Sequence, residues 1–346
     1  MKILHTSDIH IKDYMDDSWR AFESLIKIGS KEKIDFFVIS GDLFDEKSSF
    51  VRLYPEIRPL LNSTDYKFII IAGNHDEKAF GSEAFLGEKV KVIRSLTEPL
   101  EYDNLRFFGF PFRNITSGEV RNNLRTIKKL ATADKVNLLL FHGELLDHSF
   151  SGSDFGDEAI NYMSVRLSFF NNLNLKYVLA GHFHTNFQVY ELDSGGFFVY
   201  PGSPISITKK ETGRRSVNLF EVGNPPAQYK INTPYYKKLR LSIFPDQKSS
   251  PVTQIKKKIR KSPKEARLLV SITGYTKEKE EDFHNKIKEL ENKHENLEIE
   301  NRVRGIQHLA EDELFKAFNT KLEKLNPSRK RQIKNLVIKS LLESEK

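Results

Sequence analysis

Five hydrophobic, strand-like runs of this chain each end in a short polar segment that carries histidine, aspartate or asparagine. The runs lie within "KILHTSDIH", "DFFVISGDLFD", "KFIIIAGNHD", "VNLLLFHGE" and "KYVLAGHFHT". Helix-like segments alternate with the earlier runs, an order typical of α/β folds. Because ligand-binding loops of α/β sheets collect at the carboxyl ends of strands, the five polar segments are expected to converge on one site.

The side chains at these strand ends are imidazoles, carboxylates and one carboxamide, without sulfur. They are Asp8, His10, Asp42, Asn74, His75, Asp76, His142, His182 and His184. An isolated pair such as His182 and His184 fits surface histidines as well as metal ligands, but the other four strand ends favour a metal site. Donors of this kind suit Mn²⁺, Fe²⁺ or Zn²⁺. The set is too large for one ion and fits two ions that share a bridging carboxylate, as in phosphoryl displacement.

Composition excludes several kinds of chemistry. The chain has no cysteine, so disulfides, cysteine-bound zinc, iron–sulfur clusters and thiol catalysis are ruled out. The first residues lack the apolar stretch of a secretory signal, and no segment approaches the roughly 18 apolar residues of a membrane span. We therefore expect a cytoplasmic protein that has no membrane partner.

Charge is distributed unevenly along the chain. The formal net charge is +8, yet residues 1–230 are slightly acidic, so the basic excess lies entirely in residues 231–346. The basic residues are densest in 231–270. A region of this kind is typical of proteins that bind polyanions such as nucleic acid, although a solvated lysine-rich surface would have the same composition.

The predicted architecture is α/β with three parts. Residues 1–222 are expected to form two packed mixed sheets flanked by helices, because the β-rich second half of this region argues against a single doubly wound sheet. A linker rich in Pro, Gly and Asn follows at 223–234. Residues 235–304 predict a small βαβαβ domain, and residues 306–346 a pair of amphipathic helices. Two local features are also predicted: Ser18 as the N-cap of the first helix, and a kink or interruption of the second helix at Pro55 and Pro59.

The motif series "SDIH", "GDLFD", "GNHD", "FHGE" and "GHFH" resembles the calcineurin-like metallophosphoesterase superfamily over about residues 1–220. In detail it is similar to the SbcD branch, the nuclease subunit of the bacterial SbcCD complex and its phage, archaeal and eukaryotic counterparts in double-strand-break processing. "YPGSPISI" at 200–207 matches the end of that branch's catalytic domain. "RLLVSITGYT" resembles its small capping domain, and the C-terminal helices resemble its partner-binding segment in position.

The resemblance implies a role for each strand-end residue. One metal ion would be held by Asp8, His10 and His184. The other ion would be held by Asn74, His142 and His182. Asp42 would bridge the two ions.

Two further residues would act on the substrate rather than on the metals. His75 would face the scissile phosphate, and Asp76 would orient His75. Asp45 occupies the position at which archaeal and eukaryotic relatives often carry a second phosphate-facing histidine, so this chain looks like the bacterial or phage form. Whether anything besides His75 touches the phosphate is open.

The function implied is that of a Mn²⁺-dependent two-metal DNA nuclease. It would act as an exonuclease on double-stranded ends and as an endonuclease on single-stranded or hairpin DNA. It would form a homodimer and work with an SbcC-type coiled-coil ATPase. The process would be DNA end processing, recombination or repair. The alternatives are a phosphatase or cyclic-nucleotide phosphodiesterase of the same superfamily, and a non-catalytic scaffold for the ATPase. "GDLFDEK" lacks the Arg-Gly of protein phosphatases, and the complete set of ligands argues against a scaffold.

Overall fold

The computed structural model describes residues 1–81, 84–147, 163–245, 250–307, 309, 312–323 and 326–344. The chain divides into two compact units, Met1–Tyr236 and Lys237–Lys346. None of the helices within the described ranges is both long and apolar enough to cross a bilayer.

The first unit alternates strands and helices and then continues with strands only. Its elements are β1 (Lys2–Thr6), α1 (Asp17–Glu32), β2 (Phe36–Ser40), α2 (Lys47–Asn62), β3 (Lys67–Ile71), β4 (Val90–Val92), β5 (Leu100–Tyr102), β6 (Leu105–Phe110), α3 (Ser117–Leu130), β7 (Val136–His142), a 3₁₀ helix (Leu167–Phe170), β8 (Tyr177–Gly181), β9 (Gln188–Glu191), β10 (Phe197–Tyr200), β11 (Ser216–Glu221) and β12 (Gln228–Lys230).

These strands form two six-stranded mixed sheets, which confirms the predicted fold class. The first sheet has the order β12-β11-β1-β2-β3-β4, and β1 to β4 are parallel to one another. The second has the order β5-β6-β7-β8-β10-β9, with β6, β7, β8 and β10 parallel. The remaining pairs are antiparallel, β1 with β11 and β11 with β12 in the first sheet, and β5 with β6 and β9 with β10 in the second.

The core of this unit has three apolar layers, because successive side chains of a strand point to opposite faces of its sheet. Ile3 and Val38 join side chains of the second sheet, such as Leu140, in a cluster between the sheets. Leu4 and its neighbours pack against α1 and α2 on one outer face. A third cluster joins α3 to the outer face of the second sheet. Each fully buried aliphatic side chain stabilises the fold by about 1.5–3 kcal/mol, so the sheets form a rigid base for the loops at their ends.

Two local predictions were wrong. The N-cap of α1 is Asp16, whose Oδ1 accepts a hydrogen bond of 2.6 Å from the backbone N–H of Trp19, whereas Ser18 lies inside the helix. The second helix runs without interruption through Pro55 and Pro59. The two prolines are four residues apart on the outward side of the helix, so the carbonyl groups left without N–H donors lie on the solvent side.

The predicted linker at 223–234 is also partly wrong. It contains β12, whose Tyr229 pairs with Val217 of β11 and packs against the outer core. The strand therefore belongs to the first unit, and the division between the units follows Tyr236.

The second unit has the predicted βαβαβ order followed by two helices. Its elements are β13 (Tyr235–Ile243), α4 (Pro251–Arg260), β14 (Ala266–Thr276), α5 (Glu280–Asn292), β15 (Leu297–Gly305), α6 (Glu313–Leu322) and α7 (Pro327–Ser344). The sheet order is β13-β14-β15, and β14 and β15 are parallel. Phe315 of α6 and Ile338 of α7 are buried in one cluster with Ile306 and Leu309.

Candidate metal centre

Every predicted site residue lies at or just beyond the carboxyl end of a parallel strand. Asp8 and His10 follow β1, Asp42 follows β2, and Asn74, His75 and Asp76 follow β3, all in the first sheet. His142 ends β7, and His182 and His184 follow β8, all in the second sheet. The short distances between side chains of different sheets, given below, show that the two sheets open onto the same site.

Asp8, His10 and His184 form the first group of potential ligands. All three are buried, and one ligand atom from each lies within 4.8 Å of the others. Nε2 of His184 is 3.6 Å from Oδ1 of Asp8. The group therefore joins β1 of the first sheet to β8 of the second.

Asp8, Asp42 and His142 form a second group with the same spacing. Nε2 of His142 lies 3.2 Å from Oδ2 of Asp42 and 2.9 Å from Oδ1 of Asn74. The same Asp42 oxygen is 3.8 Å from Nε2 of His10, a member of the first group. Asp8 belongs to both groups, and Oδ2 of Asp42 faces one imidazole of each.

His182 lies beside the second group. Its imidazole packs edge-on against that of His142, with ring centroids 5.4 Å apart. Its backbone N–H donates to both carboxylate oxygens of Asp8, at 3.0 and 3.1 Å. The loop after β8 therefore fixes the Asp8 carboxylate and also delivers two imidazoles to the site.

Four of these residues have left-handed backbone conformations, which non-glycine residues rarely adopt. The φ angles are 54° at Asp8, 51° at His10, 52° at Asp42 and 92° at His182. Such conformations cost of the order of 1–3 kcal/mol each and persist only where the surrounding structure imposes them. The turns after β1, β2 and β8 therefore hold strained geometry at the candidate site.

Two glycines allow the strand ends to approach so closely. Gly41 has a φ of 93°, and a Cβ there would lie 2.1 Å from Nδ1 of His142. A Cβ on Gly73 would lie 2.1 Å from Oδ1 of Asp42. Any side chain at either position would displace a residue of the second group.

The electrostatics of the site fit a bound cation. Burial raises the pKa of Asp42, but the imidazoles of His142, His10 and His75 outweigh burial and hold that pKa well below its usual range. Burial lowers the pKa of His142, but the Asp42 and Asp8 carboxylates raise it to about 10. Negative charge at Asp42 is thus retained inside the protein, where it is costly without a positive partner.

Buried polar atoms give a second test of the fit. Nε2 of His10 is buried and has no hydrogen-bond partner among the described residues, and the buried Oδ2 of Asp42 faces the imidazoles of His142 at 3.2 Å and of His10 at 3.8 Å. Buried polar atoms are normally hydrogen-bonded, so exceptions need an explanation. The placement of these two atoms in a cluster of nitrogen and oxygen ligands is explained by divalent metal ions of the Mn²⁺, Fe²⁺ or Zn²⁺ type.

His75 lies at the edge of the cluster. Its ring contacts that of His10 edge-on, with centroids 4.6 Å apart, and its backbone N–H donates to Oδ1 of Asp42 at 2.9 Å. Nδ1 of its ring lies 3.0 Å from the backbone carbonyl oxygen of Asp45. The side chain of Asp45 approaches His10 Nδ1 at 3.6 Å, so His10, Asp45 and His75 form a third group with ligand spacing.

Asp76 was predicted to orient His75, and the contacts that the structure describes for its side chain are with the backbone. Its buried carboxylate accepts hydrogen bonds from three backbone amides, those of Leu43 at 2.8 Å, Phe44 at 3.2 Å and Gly73 at 2.8 Å. One partner of the His75 ring is the Asp45 carbonyl group. Asp76 therefore fixes the loop that carries Asp42.

Sequence reasoning missed one residue that contacts the site. Glu211 is fully buried, and its Oε1 lies 3.4 Å from Nδ1 of His184. Burial raises the pKa of Glu211, but the His184 hydrogen bond and the charges of His184 and Arg215 lower it below its ordinary value. Glu211 lies in the loop before β11 rather than at a strand end, so the strand-end pattern gave no signal for it.

The chain is similar to known proteins in sequence and in structure. The sequence profile described as calcineurin-like phosphoesterase matches residues 1–186. The DNA double-strand break repair protein Mre11 of Sulfurisphaera tokodaii is 25% identical over 283 residues, which cover 74% of this chain and 69% of that protein. The Aeropyrum pernix protein of the same name is 24% identical over 271 residues, 70% of this chain and 63% of that protein. Among solved structures, a dimetal phosphatase from Danio rerio has a TM-score of 0.45 at 11% identity, covering 63% of this chain and 91% of its own.

Proposed function

The chain belongs to the calcineurin-like phosphoesterase family, and from that premise we propose that it is a two-metal nuclease that hydrolyses phosphodiester bonds of DNA. The observation that carries the proposal is the position of Asp42 between the two ligand groups. Its Oδ2 lies 3.2 Å from His142 and 3.8 Å from His10. A carboxylate that faces an imidazole of each group is suited to bridge a pair of adjacent metal ions.

The proposed ligand sets are those that the family motifs imply, and the first of them coincides with the first group. Asp8, His10 and His184 would hold one ion. Asn74, His142 and His182 would hold the other, with Asp42 shared between them. When bound, the two ions would supply Lewis-acid stabilisation of the attacking and leaving oxygens in an in-line displacement.

The side chain proposed to act directly on the substrate is His75. Its Nδ1 is placed to donate to the Asp45 carbonyl oxygen, which fixes the plane of the ring beside His10. A ring held in this way can stabilise charge on the scissile phosphate or protonate the leaving oxygen. The strained turns at Asp8, His10 and Asp42 would hold the surrounding groups in place, so little reorganisation would be needed during the reaction.

DNA as the substrate is supported by the names of the relatives and by the charge of the second unit. The two Mre11 proteins are named for double-strand break repair, and this chain spans 69% and 63% of their lengths. In the second unit, Lys256, Lys257 and Lys258 of α4 are exposed. Contacts between such groups and phosphates release counterions, so DNA binding should weaken steeply as salt rises.

The manganese preference and the protein partners extend this proposal. Mn²⁺ suits the mixed nitrogen and oxygen donors, and the activity would include exonuclease action on double-stranded ends and endonuclease action on hairpin or single-stranded DNA. A coiled-coil ATPase would dock on the C-terminal helices, where Leu314 is 78% and Leu336 is 68% exposed. A homodimer completes the proposed assembly.

The test uses the full chain, stripped of metal with a chelator and reloaded with Mn²⁺ or Mg²⁺. Linear duplex DNA, a DNA hairpin, a chromogenic phosphodiester and a chromogenic phosphomonoester are compared as substrates. We expect Mn²⁺-dependent cleavage of both DNA substrates, lost in Asp42→Asn. Hydrolysis of the phosphomonoester alone would identify a phosphatase, and metal binding without any hydrolysis would favour a scaffold.

A further inference from the structure

The segment from Ser203 to Arg215 holds the backbone of His184. The His184 carbonyl oxygen accepts hydrogen bonds from the backbone N–H of Ser203, at 2.9 Å, and from the guanidinium of Arg215. Arg215 is buried and also donates to the carbonyl oxygens of Ser203 and Thr185, at 2.9 and 2.8 Å. The backbone that carries the His184 imidazole is therefore tied to one segment.

The same segment supplies the carboxylate that faces the His184 side chain. Oε1 of Glu211 lies 3.4 Å from Nδ1 of His184 and accepts from the N–H and Oγ1 of Thr208, both at 3.2 Å. Oε2 accepts from the N–H of Ile207 at 3.0 Å. Three donors besides the histidine hold this fully buried carboxylate in place beside the ring.

This arrangement determines which nitrogen of His184 carries the proton. A carboxylate only accepts, so Nδ1 must donate to Glu211, and the lone pair of the neutral ring is on Nε2. That Nε2 is the atom 3.6 Å from Oδ1 of Asp8 in the first ligand group. The hydrogen bond thus presents the metal-binding nitrogen to the site.

The equivalent partner in the second ligand group is neutral. Nδ1 of His142 lies 2.8 Å from the backbone carbonyl oxygen of Ser40. A carbonyl group also fixes the tautomer, but it carries no net charge to increase the basicity of the ring. Nδ1 of His184 in the first group thus faces a charged carboxylate, whereas Nδ1 of His142 in the second group faces an uncharged carbonyl oxygen.

We propose that Glu211 is a positioning residue that fixes the tautomer and increases the ligand strength of His184, and that it does so for one of the two metal positions only. The inference rests on the metal centre of the proposed function but not on DNA as its substrate. Carboxylates that hydrogen-bond metal-ligating histidines affect metal affinity by about 10–100-fold.

The first experiment is a Mn²⁺ titration by calorimetry on metal-stripped full-length protein. Glu211→Gln keeps the shape of the side chain and removes its charge, and Glu211→Ala removes the acceptor. Ser206→Ala is the matched control. Oγ of Ser206 donates to the backbone carbonyl oxygen of Glu211 at 2.6 Å and accepts from the N–H of Tyr236 at 3.2 Å, without touching the Glu211 carboxylate.

We expect Glu211→Ala to weaken one class of Mn²⁺ site about 10–100-fold, Glu211→Gln to weaken the same class to a smaller extent, and the other class to change less than about twofold. Ser206→Ala should lower the melting temperature and leave both affinities unchanged. Unchanged affinities in both Glu211 variants, or an equal loss in the Ser206 control, would overturn the proposal.

The second readout needs neither metal nor substrate. Long-range ¹H–¹⁵N spectra of metal-free protein report histidine tautomers, and the signal that disappears in His184→Gln is the one that belongs to His184. In the wild type we expect this signal to show a proton on Nδ1, and in Glu211→Ala a mixture of both tautomers. An unchanged tautomer in Glu211→Ala would refute the positioning role. Wild-type protein that binds two Mn²⁺ ions but cuts no DNA would refute the nuclease and leave the role of Glu211 standing.

Discussion

His5 should make the fold sensitive to acid through its burial alone. It lies on β1, fully buried, next to Val38 of β2, which belongs to the cluster between the sheets. Neither ring nitrogen has a hydrogen-bond partner within the part of the chain that the structure describes. Burial without a partner lowers the pKa of His5 from 6.5 to about 3.

The size of the effect follows from the two pKa values. The folded protein keeps His5 neutral down to about pH 3, whereas the unfolded chain binds a proton below about pH 6.5. The free energy of unfolding therefore falls as the pH drops from 6.5 towards 3, by about 2 kcal/mol at pH 5, since each pKa unit corresponds to about 1.4 kcal/mol. Above pH 6.5 the contribution disappears.

The assay is urea unfolding of metal-free protein at pH 7.5 and pH 5, for the wild type and for His5→Leu, which has a similar volume. Metal-site residues also titrate, but they do so in both proteins, so the difference between the two isolates His5. We expect the free energy of unfolding of the variant, taken relative to that of the wild type, to be about 2 kcal/mol higher at pH 5 than at pH 7.5. His284→Leu, at an exposed position of α5, is the control and should show no such dependence. A difference that is independent of pH would contradict the reasoning.

Three further predictions concern the site and the C-terminal helices. His75→Ala should reduce DNA cleavage at least about 100-fold while elemental analysis still finds both metal equivalents, and loss of an equivalent would instead make His75 a ligand. Asp42→Asn should weaken both classes of Mn²⁺ site in calorimetry, whereas Asn74→Ala should weaken one; equal effects would remove the bridging role. Leu336→Glu should abolish pull-down of the coiled-coil ATPase without lowering the melting temperature, because the side chain is 68% exposed; retained binding would argue against docking there.

The fold class and the convergence of the site could be predicted because both depend on repeated local patterns. Each buried parallel strand appears in the sequence as a continuous apolar run, and each run ends where its polar residues begin. Five repetitions of that pattern constrain the topology far more than any one motif. The distances of 3.2 Å from Asp42 to His142 and 3.6 Å from Asp8 to His184 join the two sheets, as convergence requires.

The features that could not be predicted depend on contacts between distant segments. The family motifs implied a role for Asp76 beside His75 but gave no sign of its backbone contacts. Its carboxylate accepts from the amides of Leu43 and Phe44, more than 30 residues earlier in the chain. Glu211 likewise reaches His184 across a separation of 27 residues. No periodicity or spacing in the sequence records such pairings.

The strain at the candidate site explains why the metal centre lies on this particular scaffold. Left-handed turns at Asp8, His10, Asp42 and His182, together with buried carboxylates, each cost free energy that a small or loosely packed fold could not offset. The cluster between the sheets contains side chains of the strands that lead into these turns, among them Ile3, Val38 and Leu179. The outer cluster packs the loops themselves, since Ile9 and Leu43, each next to a candidate ligand, are buried in it. Both faces of the first sheet therefore support the residues that the site holds in unfavourable geometry, so cavities made at Ile9 or Leu43 should loosen the ligand groups.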